Sequence, residues 1–166
     1  MEFANKHDLC VSVTSSGRDR MNRDMSVGCR DGLLIRTSLM KDRTLDNSTN
    51  IITLGAGVTF SEVYHDFRDH YMATSYFPTD SVVGWLLNGG GYGPFSNNVA
   101  LGLDNIVWAT VVSANGTKLL TSDEGEHNRE LMWALRGGGG NVFGVVTSIG
   151  MKVYPKPTGG FSVGTL

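Results

Sequence analysis

The residue pattern predicts an α+β domain, with a mixed or antiparallel sheet and flanking helices. Three observations predict it. Residues 106–112 and 118–121 are apolar, β-branched runs either side of Ala114-Asn115-Gly116, and Asn-Gly is a strong hairpin signal. Phe60, Val63, Tyr64, Phe67 and Tyr71 fall at i, i+3, i+4, i+7 and i+11, one face of a 3.6-residue repeat. Further apolar runs at 9–13, 33–35, 51–54 and 145–153 have the length of strands rather than helices.

Taken in order, residues 2–8 read as the tail of a helix and 9–13 as a strand. Residues 14–31 form a polar loop carrying Arg18, Arg20, Arg23 and Arg30. Strands at 33–35 and 51–54 follow, and Gly55-Ala56-Gly57 breaks the chain. The helix over 60–71 opens with Thr59 and Glu62, a capping box in which each side chain satisfies the other's backbone N–H. Its His65, Asp66, Arg68 and Asp69 fall mostly on the outer face. Residues 72–104, poor in charge and rich in glycine, asparagine and aromatics, read as irregular around a short helix at 82–87. After the hairpin, Asn128 caps a helix through Leu135 that Gly137 stops. A final strand at 145–153 runs into Pro155-Lys156-Pro157. The organisation predicted is one domain over 1–157 and a tail over 158–166.

The chain has 166 residues, 40% hydrophobic and 18% charged, which suits one packed core. A net charge of -2 gives no case for nucleic acid or an anionic membrane. No apolar run approaches the ~18 residues of a membrane span. The first eight residues lack the apolar core of a signal peptide, so the expectation is cytoplasmic. Two sequons, Asn47-Ser48-Thr49 and Asn115-Gly116-Thr117, matter only if the protein is exported. Cys10 and Cys29 match no zinc spacing and read as free thiols. No metal-ligand spacing and no Ser-His-Asp order can be argued.

Two glycine clusters stand out, Gly89-Gly90-Gly91-Tyr92-Gly93 and Gly137-Gly138-Gly139-Gly140. Neither fits G-x-x-x-x-G-K-[ST], and Pro94 stands where a third glycine of G-x-G-x-x-G would be. A lone cluster reads as a tight loop. Two, each followed by an asparagine-bearing loop, point to backbone lining one large flat cavity.

The motifs 82–96, Gly102-Leu103-Asp104-Asn105, 111–116 and Trp133-Ala134-Leu135-Arg136-Gly137-Gly138-Gly139-Gly140 followed by Phe143-Gly144-Val145-Val146-Thr147 resemble the PCMH-type FAD-binding domain of the berberine bridge enzyme-like oxidases, within the vanillyl-alcohol oxidase group. Gly55–Tyr64 in the residues Gly-Ala-Gly-Val-Thr-Phe-Ser-Glu-Val-Tyr fits the same family's helix entry. The resemblance implies flavin contacts at Gly89, Gly90, Gly91, Tyr92, Gly138, Gly139, Gly140, Asn141 and Val146.

The chain also departs from that family. An Arg-Gly-Gly-Gly-His loop, whose backbone holds the FAD pyrophosphate and whose His often bonds the flavin, is matched here by Thr14-Ser15-Ser16-Gly17-Arg18. A Cys-Pro pair that makes a second covalent link is matched by Phe77-Pro78. The resemblance further implies a truncated domain, starting after the first strand and ending where a substrate-binding domain would begin. Arg18, Arg20 and Arg23 could bind a pyrophosphate by charge, or form a solvated basic loop.

Two expectations follow. The favoured one has no cofactor: acid–base chemistry of the cyclase, isomerase or dehydratase kind in a vacated flavin groove, on a small natural-product-like substrate. A homodimer would supply the missing wall. Its catalytic candidates are Asp80, Tyr92, His65 and Asp104, and its groove candidates Trp85, Asn88, Ser96 and Asn97. Plainer roles stand beside these: Asp80 as a cap, His65 as a solvent-facing residue, Asp104 as a loop brace and Tyr92 as a ligand wall. The alternatives are an oxidoreductase domain binding FAD non-covalently, and a non-catalytic binding or scaffold protein.

Overall fold

A computed structural model describes residues 1–18, 31–124, 128–139 and 142–161. Arg20, Arg23, Arg30, Cys29, His127, Gly140 and Asn141 lie outside the described residues.

The chain opens with α1 (Glu2–Lys6) and β1 (Val11–Thr14), then β2 (Leu33–Arg36), β3 (Arg43–Asp46) and β4 (Ile51–Gly55). Next come α2 (Phe60–Asp66), β5 (His70–Tyr71), α3 (Val82–Gly89), α4 (Ser96–Val99) and a 3-10 turn at Gly102–Asn105. β6 (Ile106–Val112), β7 (Lys118–Ser122), α5 (Arg129–Leu135), β8 (Val145–Lys152) and β9 (Tyr154–Pro155) complete it. The main sheet is five-stranded and antiparallel, in the order β3-β4-β8-β6-β7. β1 and β2 form a separate parallel pair, and β5 pairs antiparallel with β9.

Side-chain alternation builds the core. Ile52 and Leu54 of β4 point inward, and Ile149 and Met151 of β8 join them, all fully buried. Phe60 and Leu86 cover them from α2 and α3, and Met132 and Leu135 from α5. β8 sits at the centre because its partner strands accept it on both sides. At Gly150, paired with Trp108 on β6, a Cβ would strike the Trp108 indole ring. The predicted hairpin forms with Val112 opposite Lys118, Gly116 at φ +86° and the Asn115 side-chain oxygen accepting the Thr117 N–H at 3.0 Å.

Three local expectations are corrected. The apolar stripe over 60–71 does not make one helix: α2 ends at Asp66, and His70–Tyr71 pair with Tyr154–Pro155 as strands. Tyr71 is drawn out of the helix by packing against Tyr154, Phe95 and Phe161, at ring separations of 5.6, 5.5 and 4.7 Å. Phe161 thus lies against the body of the domain. Asn128 does not cap α5 with its side chain, which instead donates to the Leu120 carbonyl at 3.3 Å. Cys10 is disulfide-bonded rather than free. β3 was not foreseen, since Arg43-Thr44-Leu45-Asp46 is too polar to read as a strand.

Candidate functional site

The loop 15–18 leaves β1 beside the end of β4 and the start of α3, and one acceptor ties the three together. The Ala56 carbonyl accepts the Ser15 hydroxyl at 2.6 Å and the Ser81 hydroxyl at 2.9 Å. The Ser81 N–H donates to the Ser16 hydroxyl oxygen at 3.3 Å, and Ser81 also caps α3 by accepting the Gly84 N–H. Serine suits this position because its short hydroxyl bonds backbone without filling space. The converging elements enclose a cavity of about 550 Å³, within the range of small-molecule and cofactor sites.

The cavity wall carries the features of an anion and dinucleotide cradle. The backbone N–H groups of Ser16, Gly17 and Arg18 have no acceptor among the described residues. Gly17 has φ +72°, and a Cβ there would meet nothing within 4 Å. Successive N–H groups around a left-handed glycine can form a nest for anionic oxygens. Gly84, Gly89 and Gly139 line the same cavity, and none is closed over by backbone: an added Cβ would find only ordinary contacts, the closest Val142 at 3.4 Å. Trp85 and Val146 supply apolar wall, with Trp85 set edge-on to Phe60 at 5.2 Å. A flat dinucleotide with a charged centre fits this donor set. Bonds to Ala56 and Ser81 hold the Ser15 and Ser16 hydroxyls against the wall.

Arg18 is the one cation whose side chain lines the cavity among the described residues. Its Nε lies 3.1 Å from Asp80 Oδ1, Nη1 donates to Thr79 Oγ1 at 3.3 Å, and its guanidinium carbon sits 3.7 Å from the Phe77 ring centre. Asp80 Oδ1 is near enough for an ion pair but not aligned for a hydrogen bond, so this buried oxygen has charge compensation without a donor. Asp80 Oδ2 accepts the Ser75 hydroxyl at 2.6 Å.

Of the residues singled out in the sequence, the cavity gathers Asp80, Trp85, Asn88, Gly89, Gly139 and Val146. It does not gather Tyr92, which is 69% exposed elsewhere, or Gly90 and Gly91, which end α3 in left-handed conformation. Ser96 accepts the Gly93 N–H at 2.8 Å and Asn97 is exposed beside it. Gly138 packs under Phe143, and Asp104 caps the 3-10 turn through the Leu101 N–H at 3.2 Å. His65 sits outside on α2, paired with Asp66 at 2.7 Å. Ser75, Ser81 and Gly84 were missed. Gly84 carried a usable signal, since a glycine inside a short helix needs a reason.

An α+β domain with a glycine-lined cavity of this size between β1, the end of β4 and α3 fits a nucleotide-cofactor-binding class. The chain belongs to the FAD binding domain family, whose description matches residues 1–122. It is 34% identical over 168 residues to the FAD-linked oxidoreductase easE of Epichloe festucae var. lolii, covering 93% of this chain and 27% of that protein. It is 33% identical to aurantioclavine synthase cnsA of Penicillium expansum, covering 93% and 35%. The chain therefore spans about a quarter to a third of the length of these relatives. Among solved structures, a carbohydrate oxidase from Microdochium nivale superposes with a TM-score of 0.84 at 26% identity, over 94% of this chain and 33% of that one. 6-Hydroxy-D-nicotine oxidase from Arthrobacter nicotinovorans gives 0.82 at 30%, over 94% and 33%. Berberine bridge enzyme is also matched, with a TM-score of 0.82 at 25%.

These likenesses overturn the expectation of no cofactor. The family and its oxidoreductase relatives point to FAD, and the cavity retains donors suited to it. Among the described residues no helix is long and apolar enough to cross a membrane.

Proposed function

We propose that this chain is the FAD-holding part of an FAD-linked oxidoreductase acting on a small organic molecule, and that it holds FAD without a covalent bond. The observation that carries this reading is the Ser16-Gly17-Arg18 nest opening into a glycine-lined cavity. FAD supplies hydride acceptance when bound. The chain's own residues bind and orient it: the nest takes anionic oxygens, Gly84 and Gly139 allow close approach, and Trp85 and Val146 exclude water. The relatives' names, which include a carbohydrate oxidase, a nicotine-derivative oxidase and an aurantioclavine synthase, support a small-molecule substrate. Non-covalent binding follows from side-chain chemistry. Arg18 and Phe77 occupy the positions where the resemblance implies attachment, and a phenyl ring offers no nucleophile while a guanidinium stays protonated.

The test adds FAD to purified protein, removes free flavin, records the visible spectrum, then precipitates with acid. Flavin bound at one per chain and released to the supernatant is expected. Flavin in the pellet overturns the non-covalent reading, and a colourless protein overturns the FAD reading.

A further inference from the structure

We propose that Asn47 carries an N-linked glycan, added as the protein passes through an oxidising, membrane-enclosed compartment. This departs from the cytoplasmic expectation and does not depend on the cofactor reading.

Two independent observations converge. The first is the disulfide at Cys10, next to the start of β1. Disulfides form and persist in oxidising compartments such as the lumen of the secretory route, whereas cytosolic thiols are kept reduced. Glycan transfer to Asn-x-Ser/Thr belongs to that same route. The second is the local structure of Asn47-Ser48-Thr49, which lies in the turn between β3 and β4.

Asp46 organises that turn. Its Oδ1 accepts the Ser48 N–H at 2.8 Å and the Ser48 hydroxyl at 2.6 Å, and its Oδ2 accepts the Thr49 hydroxyl at 2.9 Å. Asn47 is exposed, and its carboxamide has no hydrogen-bond partner among the described residues. The turn closes through its neighbours, so a substituent on Asn47 Nδ2 breaks no bond of the fold. There is also room for one. β3 is an edge strand, with β4 on one side only, and none of residues 43–51 lines the cavity. β4 carries the chain from Ile51 towards the cavity wall at Ala56, on the order of 15 Å away at ~3.3 Å per residue.

Asn115-Gly116-Thr117 is the contrasting case. The Asn115 carboxamide oxygen accepts the Ser113 hydroxyl at 2.6 Å and the Thr117 N–H at 3.0 Å. α1 docks on the same hairpin: Asn5 donates to the Ala114 carbonyl at 2.7 Å, and Glu2 Cγ lies 3.4 Å from where a Cβ on Gly116 would stand. That triplet serves the turn and the helix packed on it, and stays unmodified.

The donor is a lipid-pyrophosphate-linked oligosaccharide. Its anomeric carbon bonds to Asn47 Nδ2 as the bond from that carbon to the pyrophosphate oxygen breaks. The lipid pyrophosphate leaves with the electron pair, Nδ2 gives up one proton, and nothing is oxidised or reduced.

The experiment purifies the full-length protein from the cells that make it, with free thiols blocked at lysis. Peptide N-glycosidase treatment in heavy-oxygen water and mass-spectrometric mapping follow. Labelled aspartate is expected at position 47, unlabelled asparagine at position 115, and a Cys10 thiol that reacts only after reductant is added. In the same cells, Asn47→Gln and Thr49→Val each lose one step of the glycosidase-sensitive size shift. Thr49→Ser keeps the hydroxyl that the triplet needs and retains the step. Unmodified Asn47 overturns the inference, and so does a Cys10 already blocked at lysis. A glycan on Asn115 overturns the packing argument that separates the two triplets. Flavin binding is read by its own spectrum, so the FAD reading stands or falls separately.

Discussion

Gly91 and Gly102 meet backbone to backbone. The Gly102 N–H donates to the Gly91 carbonyl at 2.9 Å, and a Cβ on Gly91 would sit 2.6 Å from the Gly102 Cα. The contact locks the end of α3 to the 3-10 turn, so the second half of the first glycine cluster is a packing joint and not a ligand wall. Gly91→Ala must strain a φ of +76° and push two backbones apart. It is expected to destabilise the fold by at least ~2 kcal/mol, read from the urea midpoint.

Gly84 has the opposite character. A Cβ there meets only the Ser81 Cβ and Oγ, at 3.6 Å, and the residue sits inside α3. Gly84→Ala is expected to stabilise the fold by ~0.5–1 kcal/mol through helix propensity. Gly84→Leu projects a branched side chain into the cavity and should abolish FAD binding while the melting temperature holds. Retained FAD affinity in Gly84→Leu would argue against this cavity as the site.

Glu62 links α2 to the β2–β3 connection. Its Oε2 accepts from Lys41 Nζ, the Thr59 N–H and the Thr59 hydroxyl, each at 2.8 Å. Partial burial works to raise its pKa, but the Lys41 and Thr59 bonds outweigh this and hold it below the ordinary 4.5. A depressed carboxylate stabilises the fold above its unfolded pKa, and that contribution is lost as pH falls through the folded value. Glu62→Gln should therefore cost about 1 kcal/mol at pH 7, and the gap to the unmodified protein should narrow as the pH is taken below the ordinary 4.5 and through the depressed folded value. Denaturant titrations at pH 7 and across that acid range decide it.

Tyr92 and His65 lie outside the cavity, Tyr92 at 69% exposure and His65 paired with Asp66 on α2. Tyr92→Phe and His65→Ala are expected to leave FAD affinity unchanged in a calorimetric titration. A marked loss in either would place the flavin on a different face.

Much of the fold was legible because short-range rules govern it. Asn115-Gly116 can turn only one way without strain, and Thr59 with Glu62 marks a helix start in any context. Tyr71 was misread because its place on a helical stripe is a local fact. Its packing with Tyr154, Phe95 and Phe161 depends on residues far along the chain. In the candidate site, Asp80, Trp85 and Asn88 were found through a local motif. Ser75 and Ser81 were not, because their roles are bonds to Asp80, Ala56 and Ser16, which no spacing rule connects.

The sequence by itself determined the α+β class and the family. Residue identity and spacing are enough for these. Only the tertiary structure decided which glycines face ligand space and which face other backbone, since identical residues 89, 90 and 91 differ in what lies opposite them. Only it showed that Arg18 and Phe77, far apart along the chain, stack, with the guanidinium carbon 3.7 Å from the ring centre. Contact across a folded chain is set by packing and hydrogen-bond closure, and neither is written in local order.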